Sequence, residues 1–141
     1  MPVKFGYYIL NTYVPELDGD SRSVYGRWLE QIDRAESLGF DSLWVTEHHF
    51  RHFGGMMPSP SVILAAASQR THKMRLGAAV SIVPMHNPLR IAEEFAMVDQ
   101  LSGGRVNFGA GRGMHPTEYA VFGYDWNDAQ KRLPEGLDII V

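Results

Sequence analysis

The sequence contains no cysteine, and this absence excludes several classes of protein. Without thiols the chain forms no disulfide, holds no zinc–thiolate centre and performs no thiol catalysis. Long apolar runs are also missing, because no stretch approaches the roughly 18 residues that indicate a membrane helix. The opening residues, Met-Pro-Val-Lys-Phe-Gly, show no export signal. We therefore expect a cytoplasmic protein with no membrane span.

Positive charge is not in excess either. Lys and Arg number 13 against 16 Asp and Glu, a formal net charge of -3, and the pI is near 6.0. This balance gives no electrostatic basis for binding nucleic acid or an anionic membrane, whereas small neutral or anionic ligands remain possible. The 141 residues, 45% of them hydrophobic, suffice for one core of ordinary size. We predict a single domain over residues 1–141.

Strand-like and helix-like segments alternate along the chain. Apolar runs of strand length lie at 3–10, 42–48, 74–83 and 105–110. Apolar residues at helical spacing follow each run, at 21–38, 60–70 and 88–102, with a fourth pattern through Leu133, Leu137 and Ile140 that Pro134 weakens. Strict alternation of this kind predicts an α/β fold, with a parallel sheet covered by helices.

The second predicted strand ends in Thr46-Glu47-His48-His49, which places ionisable groups at the edge of the sheet. Side chains alternate between the faces of a strand, so His48 shares one face with Thr46 and Glu47 shares the other with His49. At most one of these histidines then faces a ligand. An imidazole whose pKa is near its ordinary value of roughly 6.5 is the usual proton carrier at neutral pH, and Glu47 would fix its tautomer.

Two other interpretations of these histidines remain open. In the first, one histidine donates a hydrogen bond to a carbonyl group and the other is solvated. In the second, Glu47, His48, His49 and His52 supply metal ligands, but ligands from one strand must be two residues apart to share a face, and no cysteine completes a site. We therefore predict no metal. His86, in the loop after the third strand, is interpreted as structural or solvated.

Two loops that follow predicted strands are also candidates for ligand binding. The loop at 50–58 contains two Phe, two Gly and two Met, which suits either an adaptable pocket lining or a flexible surface loop. The turn at 109–113, Gly-Ala-Gly-Arg-Gly, permits close backbone approach, and Arg112 offers a bidentate group for phosphate or carboxylate. Both loops and His48 follow strand ends, where enzymes with parallel sheets place their sites.

Several longer strings resemble the bacterial luciferase-like, flavin-dependent monooxygenase superfamily in order and spacing. These strings are SLGFDSLWVTEHHF, MRLGAAVSIVPMHNPLRIAEEFAMVDQLSGGRVNFGAGRG and VFGYD, and the match covers nearly the whole chain. The resemblance implies a (β/α)8 barrel that binds reduced FMN or, in some branches, coenzyme F420. It also implies monooxygenation or hydride transfer, often in a dimer.

The resemblance assigns roles to two pairs of residues at the predicted site. His48 matches the family's active-site histidine, which would act near the flavin as acid or base, and Glu47 would support that histidine. Ala79 and Val80 match a third-strand position where a non-proline cis peptide bond commonly packs under the isoalloxazine ring. These residues are therefore predicted to form the catalytic and ring-binding parts of the site.

The phosphate end of the flavin has its own predicted contacts. Gly111 and Arg112 match the fourth-strand turn that approaches the flavin and its phosphate. Many relatives carry Ser-Arg where this chain has Ala129-Gln130, and one of the next two basic residues, at 131 or 132, would substitute. Gly111 and Arg112 are the cofactor-binding residues that the resemblance implies.

The chain is short for such a barrel. A complete (β/α)8 barrel takes about 250 residues, and only four β/α units are present here. An open half-barrel would expose two sheet edges and an apolar interior. We therefore expect the N-terminal half of a (β/α)8 barrel, as a fragment or truncated gene product, with a self-complementing dimer as the alternative.

With the resemblance, the sequence predicts a monooxygenase that uses O2 and reduced FMN supplied by a flavin reductase. The expected substrate is a small apolar compound such as an aldehyde or ketone, and the full-length protein is expected to be a homodimer. The alternatives are an F420-dependent oxidoreductase on the same scaffold, a non-catalytic flavin-binding subunit and a metal-dependent hydrolase.

Overall fold

A computed structural model describes residues 2–10 and 12–141. Its strands are β1 (Gly6–Ile9), β2 (Ser42–Val45), β3 (Arg75–Ala78), β4 (Ser81–Ile82), β5 (Val106–Asn107) and β6 (Ala110–Gly111). Strands β1, β2, β3 and β5 form one parallel sheet in that order, and β4 pairs in parallel with β6. The predicted parallel α/β fold is confirmed.

Six helices accompany the strands within the described part of the chain. They are α1 (Pro15–Asp18), α2 (Ser21–Ser37), α3 (Pro60–Ser68), α4 (Pro88–Ser102), α5 (Pro116–Val121) and α6 (Ala129–Ile140), and two 3-10 turns lie at Val83–Met85 and Trp126–Asp128. Asp20 caps α2 by accepting a hydrogen bond from the Ser23 amide, and Asn87 caps α4 through the Leu89 amide. Among the described residues, no helix is long and apolar enough to cross a membrane.

The core lies between the sheet and the helices that connect its strands. Ile32 of α2, Leu64 of α3 and Leu43 and Leu76 of the sheet are fully buried there. Arg105 stabilises the chain between α3 and β3, because its guanidinium donates to the carbonyl oxygens of residues 68, 71 and 74 at 2.8–3.0 Å. The four β/α units, half of a (β/α)8 barrel, share this main core, and a second, smaller cluster joins Ile82, Met85, Tyr119 and Ala129.

The predicted third strand, 74–83, is interrupted in the structure. Strand β3 ends at Ala78, the peptide bond between Ala79 and Val80 is cis, and the chain resumes as β4. The fourth strand is interrupted in the same layer, where a Cβ on Gly109 would lie 2.1 Å from the Ala78 carbonyl oxygen. The prediction of two unbroken strands was wrong, because the ladder between β3 and β5 ends at Gly77 and Asn107 and a separate ladder begins at Ser81 and Ala110.

Several local features were not predicted from the sequence. Helices α1 and α5 lie outside the predicted elements, and each begins at a proline in the first turn. Helix α6 continues through Pro134 instead of being weakened near its start. Arg90 pairs with Glu93 at 2.6 Å, while Glu94 accepts a hydrogen bond from the Ser61 hydroxyl.

Candidate functional site

A cavity of ≈ 360 Å³ opens at the carboxyl ends of the strands. All six site residues predicted from the sequence line it, together with five others that were not among those six. The predicted six are Glu47, His48, Ala79, Val80, Gly111 and Arg112, and the others are Tyr8, Thr46, Ile82, Gly113 and Met114. The fold therefore brings the predicted residues together, and their chemical roles remain predictions.

One wall of this cavity is made of small residues and backbone. The cis bond joins Ala79 to Val80, and Gly111 lies against it so closely that a Cβ at this glycine would be 2.6 Å from Val80 Cγ2. The Ala79 amide donates to the Val45 carbonyl oxygen at 2.7 Å, which fixes the segment to β2. The absence of large side chains leaves room for a planar ligand on this wall.

Arg112 supplies positive charge at the rim of the cavity. Its side chain is exposed and its guanidinium lies 5.0 Å from the centre of the Trp126 ring, a cation–π distance. Within residues 2–10 and 12–141 no carboxylate pairs with it. Arg132 does not line this cavity, since it donates to the Pro84 carbonyl oxygen at 2.8 Å and lines a different one. Arg112 is thus the guanidinium available to an anion here.

His48 is held in place from several sides. Its amide donates to the Met57 carbonyl oxygen at 3.1 Å. The Gly54 backbone lies close to the imidazole, because a Cβ on Gly54 would be 2.5 Å from His48 Cδ2. Burial lowers the pKa of His48, the His115 ring and Arg51 lower it further, and the Glu118 carboxylate opposes them. The imidazole is therefore neutral at neutral pH, the state that a general base requires.

Glu47 supports two other histidines and makes no hydrogen bond to His48 in the described chain. Its Oε1 accepts hydrogen bonds from His49 Nε2 at 3.0 Å and His86 Nε2 at 2.5 Å, and its Oε2 accepts from the Ile82 amide at 2.8 Å. Burial would raise the pKa of Glu47, but the hydrogen bonds from these histidines outweigh burial and lower it. The prediction that Glu47 fixes the tautomer of His48 was wrong, because the side chain points to the opposite face.

Comparison with known proteins identifies the family of this chain. The luciferase-like monooxygenase family model matches residues 3–141. This chain belongs to that family. It is 34% identical over 138 residues to the alkanal monooxygenase alpha chain of the Kryptophanaron alfredi symbiont, covering 98% of this chain and 38% of the relative. It is 35% identical over 125 residues to limonene 1,2-monooxygenase of Rhodococcus erythropolis, covering 87% and 32% respectively.

Solved structures of luciferase-like proteins share the same fold. Monooxygenase RslO1 of Streptomyces bottropensis superposes with a TM-score of 0.93 at 31% identity, over 98% of this chain and 42% of that one. The oxygenating constituent of 3,6-diketocamphane monooxygenase from Pseudomonas putida, in complex with FMN, gives 0.89 at 22% identity, over 99% and 38%. An F420-dependent secondary alcohol dehydrogenase, in complex with an F420–acetone adduct, gives 0.75 at 27%, over 99% and 41%. The chain thus spans about two fifths of their length.

Membership of the luciferase-like family does not say whether the site binds a metal ion, so the positions of the side chains have to be considered. Two groups bring metal-ligand atoms within 4.8 Å of one another, namely Glu47, His49 and His86, and His48, His115 and Glu118. Both groups join residues that lie far apart in the sequence, so spacing along the chain did not indicate them. Hydrogen bonds within the first group account for its arrangement, and in the second the guanidinium of Arg51 lies 3.6 Å from Glu118, which disfavours a further cation.

The 50–58 loop of this luciferase-like chain matches neither predicted behaviour throughout its length. Phe50 and Phe53 are exposed, whereas Met57 is buried in the core and Gly54 packs on His48. None of the loop lines the main cavity. Glu118 was missed by the sequence reasoning, although Pro116 followed by an acidic residue is a helix-start pattern that would have indicated α5.

Proposed function

We propose that this chain forms the flavin-binding part of a monooxygenase that uses O2 and reduced FMN. The observation that supports it best is the convergence of His48, the Ala79–Val80 bond and the Gly111–Arg112 turn on one cavity. The alkanal and limonene monooxygenase relatives support a small apolar substrate, such as an aldehyde or ketone. Because the chain spans 38% of the first of these relatives, the activity of the whole protein is part of the proposal.

The residues at the cavity fit such a cofactor. The wall formed by Ala79, Val80 and Gly111 accepts a planar ring, and Arg112 provides a fork for a phosphate. Thr46 Oγ1 is buried without a hydrogen-bond partner among the residues described, and Thr46 lines the cavity. A ligand with a polar edge would satisfy this hydroxyl.

The protein residues have three tasks in this mechanism. Bound reduced flavin would supply the electrons that activate O2. His48 would accept or return a proton at the ring nitrogen that faces the cavity, while the buried side chain of Ile82 would help to exclude water from it. Arg112 would orient the cofactor by holding its phosphate. Positioning, water exclusion and proton transfer are thus assigned to named side chains.

We further propose that a flavin reductase supplies the reduced cofactor and that the whole protein is a homodimer. Helices α3 and α4 expose Val62, Met97 and Leu101, with 68%, 65% and 51% of their surface accessible. A contiguous apolar surface of this kind marks a protein contact. A second copy of the same surface would cover it.

An F420-dependent oxidoreductase is the second candidate function. The F420-dependent alcohol dehydrogenase matches this chain over 99% of its length at 27% identity, which supports it. In this case the same cavity would hold the deazaflavin, and the reaction would be hydride transfer without O2. Titration of the chain with FMN and with F420, each followed by fluorescence, separates the two candidates, because the correct cofactor binds more tightly.

His48→Ala tests the proposed proton transfer. We expect turnover with reductase-supplied FMN and an aldehyde to fall by about 10²- to 10⁴-fold, the usual contribution of a general acid or base. The FMN dissociation constant should change by less than about threefold, since the imidazole does not hold the phosphate. His52→Ala, on an exposed histidine of the next loop, is the control. Equal turnover in both variants would refute the role of His48.

A further inference from the structure

A buried carboxylate lies beside His48 and has no role in the mechanism above. Glu118 of α5 is 2% exposed, and its Oε1 lies 3.6 Å from His48 Nδ1. The same oxygen accepts a hydrogen bond from the His49 amide at 3.2 Å and lies 3.6 Å from Arg51 Nε. The Glu118 carboxylate therefore lies between the His49 backbone, the Arg51 guanidinium and the His48 imidazole.

Two buried atoms of this cluster are unpaired within the described ranges, 2–10 and 12–141. They are His48 Nδ1 and Glu118 Oε2. Buried polar atoms without partners are unfavourable and uncommon, so each requires an explanation. An imidazole nitrogen can donate and a carboxylate oxygen accepts, and the two side chains are already 3.6 Å apart. A shift of roughly half an ångström would bring His48 Nδ1 within hydrogen-bond distance of this carboxylate.

We propose that Glu118 is a positioning residue that holds His48 as the Nδ1–H tautomer and leaves Nε2 as the basic nitrogen at the cavity. An ionised carboxylate only accepts hydrogen bonds, so Nδ1 must carry the proton when the two pair. A neutral imidazole then has its lone pair on Nε2. The inference rests on the proposed function, in which His48 transfers a proton in the cavity that its ring lines.

The surroundings of His48 leave Glu118 as its acceptor. Both oxygens of Glu47 are already occupied by His49, His86 and the Ile82 amide. The Gly54 backbone blocks movement of the ring on one face, and the His115 ring centre lies 5.7 Å away. The imidazole therefore keeps its Nδ1 edge towards Glu118.

The tautomer can be observed directly in the flavin-free chain. Long-range ¹H–¹⁵N correlation spectra of the ¹⁵N-labelled protein distinguish the two neutral forms of each histidine, and His48→Asn assigns the His48 signal. We expect His48 to be predominantly the Nδ1–H form. A predominant Nε2–H form in the folded wild-type chain overturns the proposal without any carboxylate variant.

Glu118→Gln removes the charge while keeping the shape of the side chain. We expect the His48 signal to shift towards the Nε2–H form and to titrate at lower pH, because the Glu118 carboxylate raises the pKa of His48. The other groups that act on His48, Arg51 and His115, lower its pKa and stay in place. Glu94→Gln is the matched control, since that carboxylate accepts from Ser61 and lies outside the main cavity.

The outcomes separate this inference from the proposed function. An unchanged His48 tautomer and titration in folded Glu118→Gln would refute the positioning role and leave FMN binding unaffected. Failure of the wild-type chain to bind FMN or F420 would refute the proposed function and leave the tautomer result standing. If Glu118→Gln does not fold, the wild-type spectrum alone decides. In an active enzyme, the acidic limb of the pH–kcat profile should move to lower pH in the variant.

Discussion

At the scale of single residues, two buried carboxylates organise the histidines at the end of β2. Glu47 pairs with His49 and His86, and Glu118 faces His48. Since side chains alternate along an extended segment, neighbouring histidines point to opposite faces and each meets a different carboxylate. His49 is therefore hydrogen-bonded to Glu47, whereas His48 lines the cavity beside Glu118.

Glu47→Gln should destabilise the fold by roughly 3 kcal/mol, since it leaves a buried polar cluster without its charge. The pKa of Glu47 is lowered, so its contribution is full above its ordinary 4.5 and is lost as pH falls through the folded value. The pKa of His86 is raised by Glu47, so that contribution is full below its ordinary 6.5 and is lost as pH rises through the folded value. The destabilisation should therefore be largest between 4.5 and 6.5.

Urea unfolding at about pH 5.5 and about pH 8.5 measures this dependence on pH. Glu93→Gln is the control, because its pair with Arg90 is exposed and should contribute less than about 1 kcal/mol. Equal free energies of unfolding for wild type and Glu47→Gln at both pH values would show that the cluster does not stabilise the fold.

At the scale of elements, the site depends on the interruption of two neighbouring strands. The ladder between β3 and β5 stops at Gly77 and Asn107, and a second ladder begins at Ser81 and Ala110. The chain between them turns Ala79 and Val80 into the cavity wall. Gly109 makes the interruption possible, because its backbone touches the Ala78 carbonyl.

Gly109→Ala should destabilise the fold by about 1–3 kcal/mol, since the added methyl meets backbone that has to move. Gly26→Ala provides a matched control in the interior of α2, where a Cβ meets nothing within 4 Å. That substitution should stabilise by about 0.5–1 kcal/mol through helix propensity. Thermal unfolding of the three proteins compares them, and a Gly109→Ala protein as stable as wild type would contradict the close approach.

At the scale of the whole molecule, the chain presents more open surface than a complete barrel would. Strands β1 and β5 are the edges of its main sheet, and α3 and α4 expose an apolar surface. Either feature would favour the proposed association, the first through strand pairing and the second through helix packing. The two routes respond differently to a charge placed on the helices.

Met97→Glu should shift the chain towards monomer in sedimentation equilibrium, because it places a charge in the proposed dimer surface. Leu17→Glu is the control, since Leu17 on α1 is 84% exposed and lies away from that surface. If Met97→Glu and Leu17→Glu sediment with the same mass as a wild-type dimer, association occurs elsewhere, and the open sheet edges are the next candidates.

The sequence by itself determined the alternation of strands and helices, most helix starts and the positions of the site residues along the chain. Apolar runs, capping residues such as Asp20 and Asn87, and a glycine-rich turn are local properties, and local properties appear as short-range patterns. The order of the elements along the chain is also enough to predict that ionisable groups follow the strand ends. His48 and Arg112 were predicted for this reason, together with the resemblance.

Only the tertiary structure decided which groups meet. Glu47 contacts His86 across 39 residues, and Glu118 contacts the His49 amide across 69, so no short-range pattern indicates either pair. The interrupted strands are likewise a consequence of two backbones approaching each other at Gly109. Long-range contacts depend on how elements pack, because packing fixes which faces meet and at what distance. The sequence therefore located the candidate site, and the packing assigned each histidine its carboxylate.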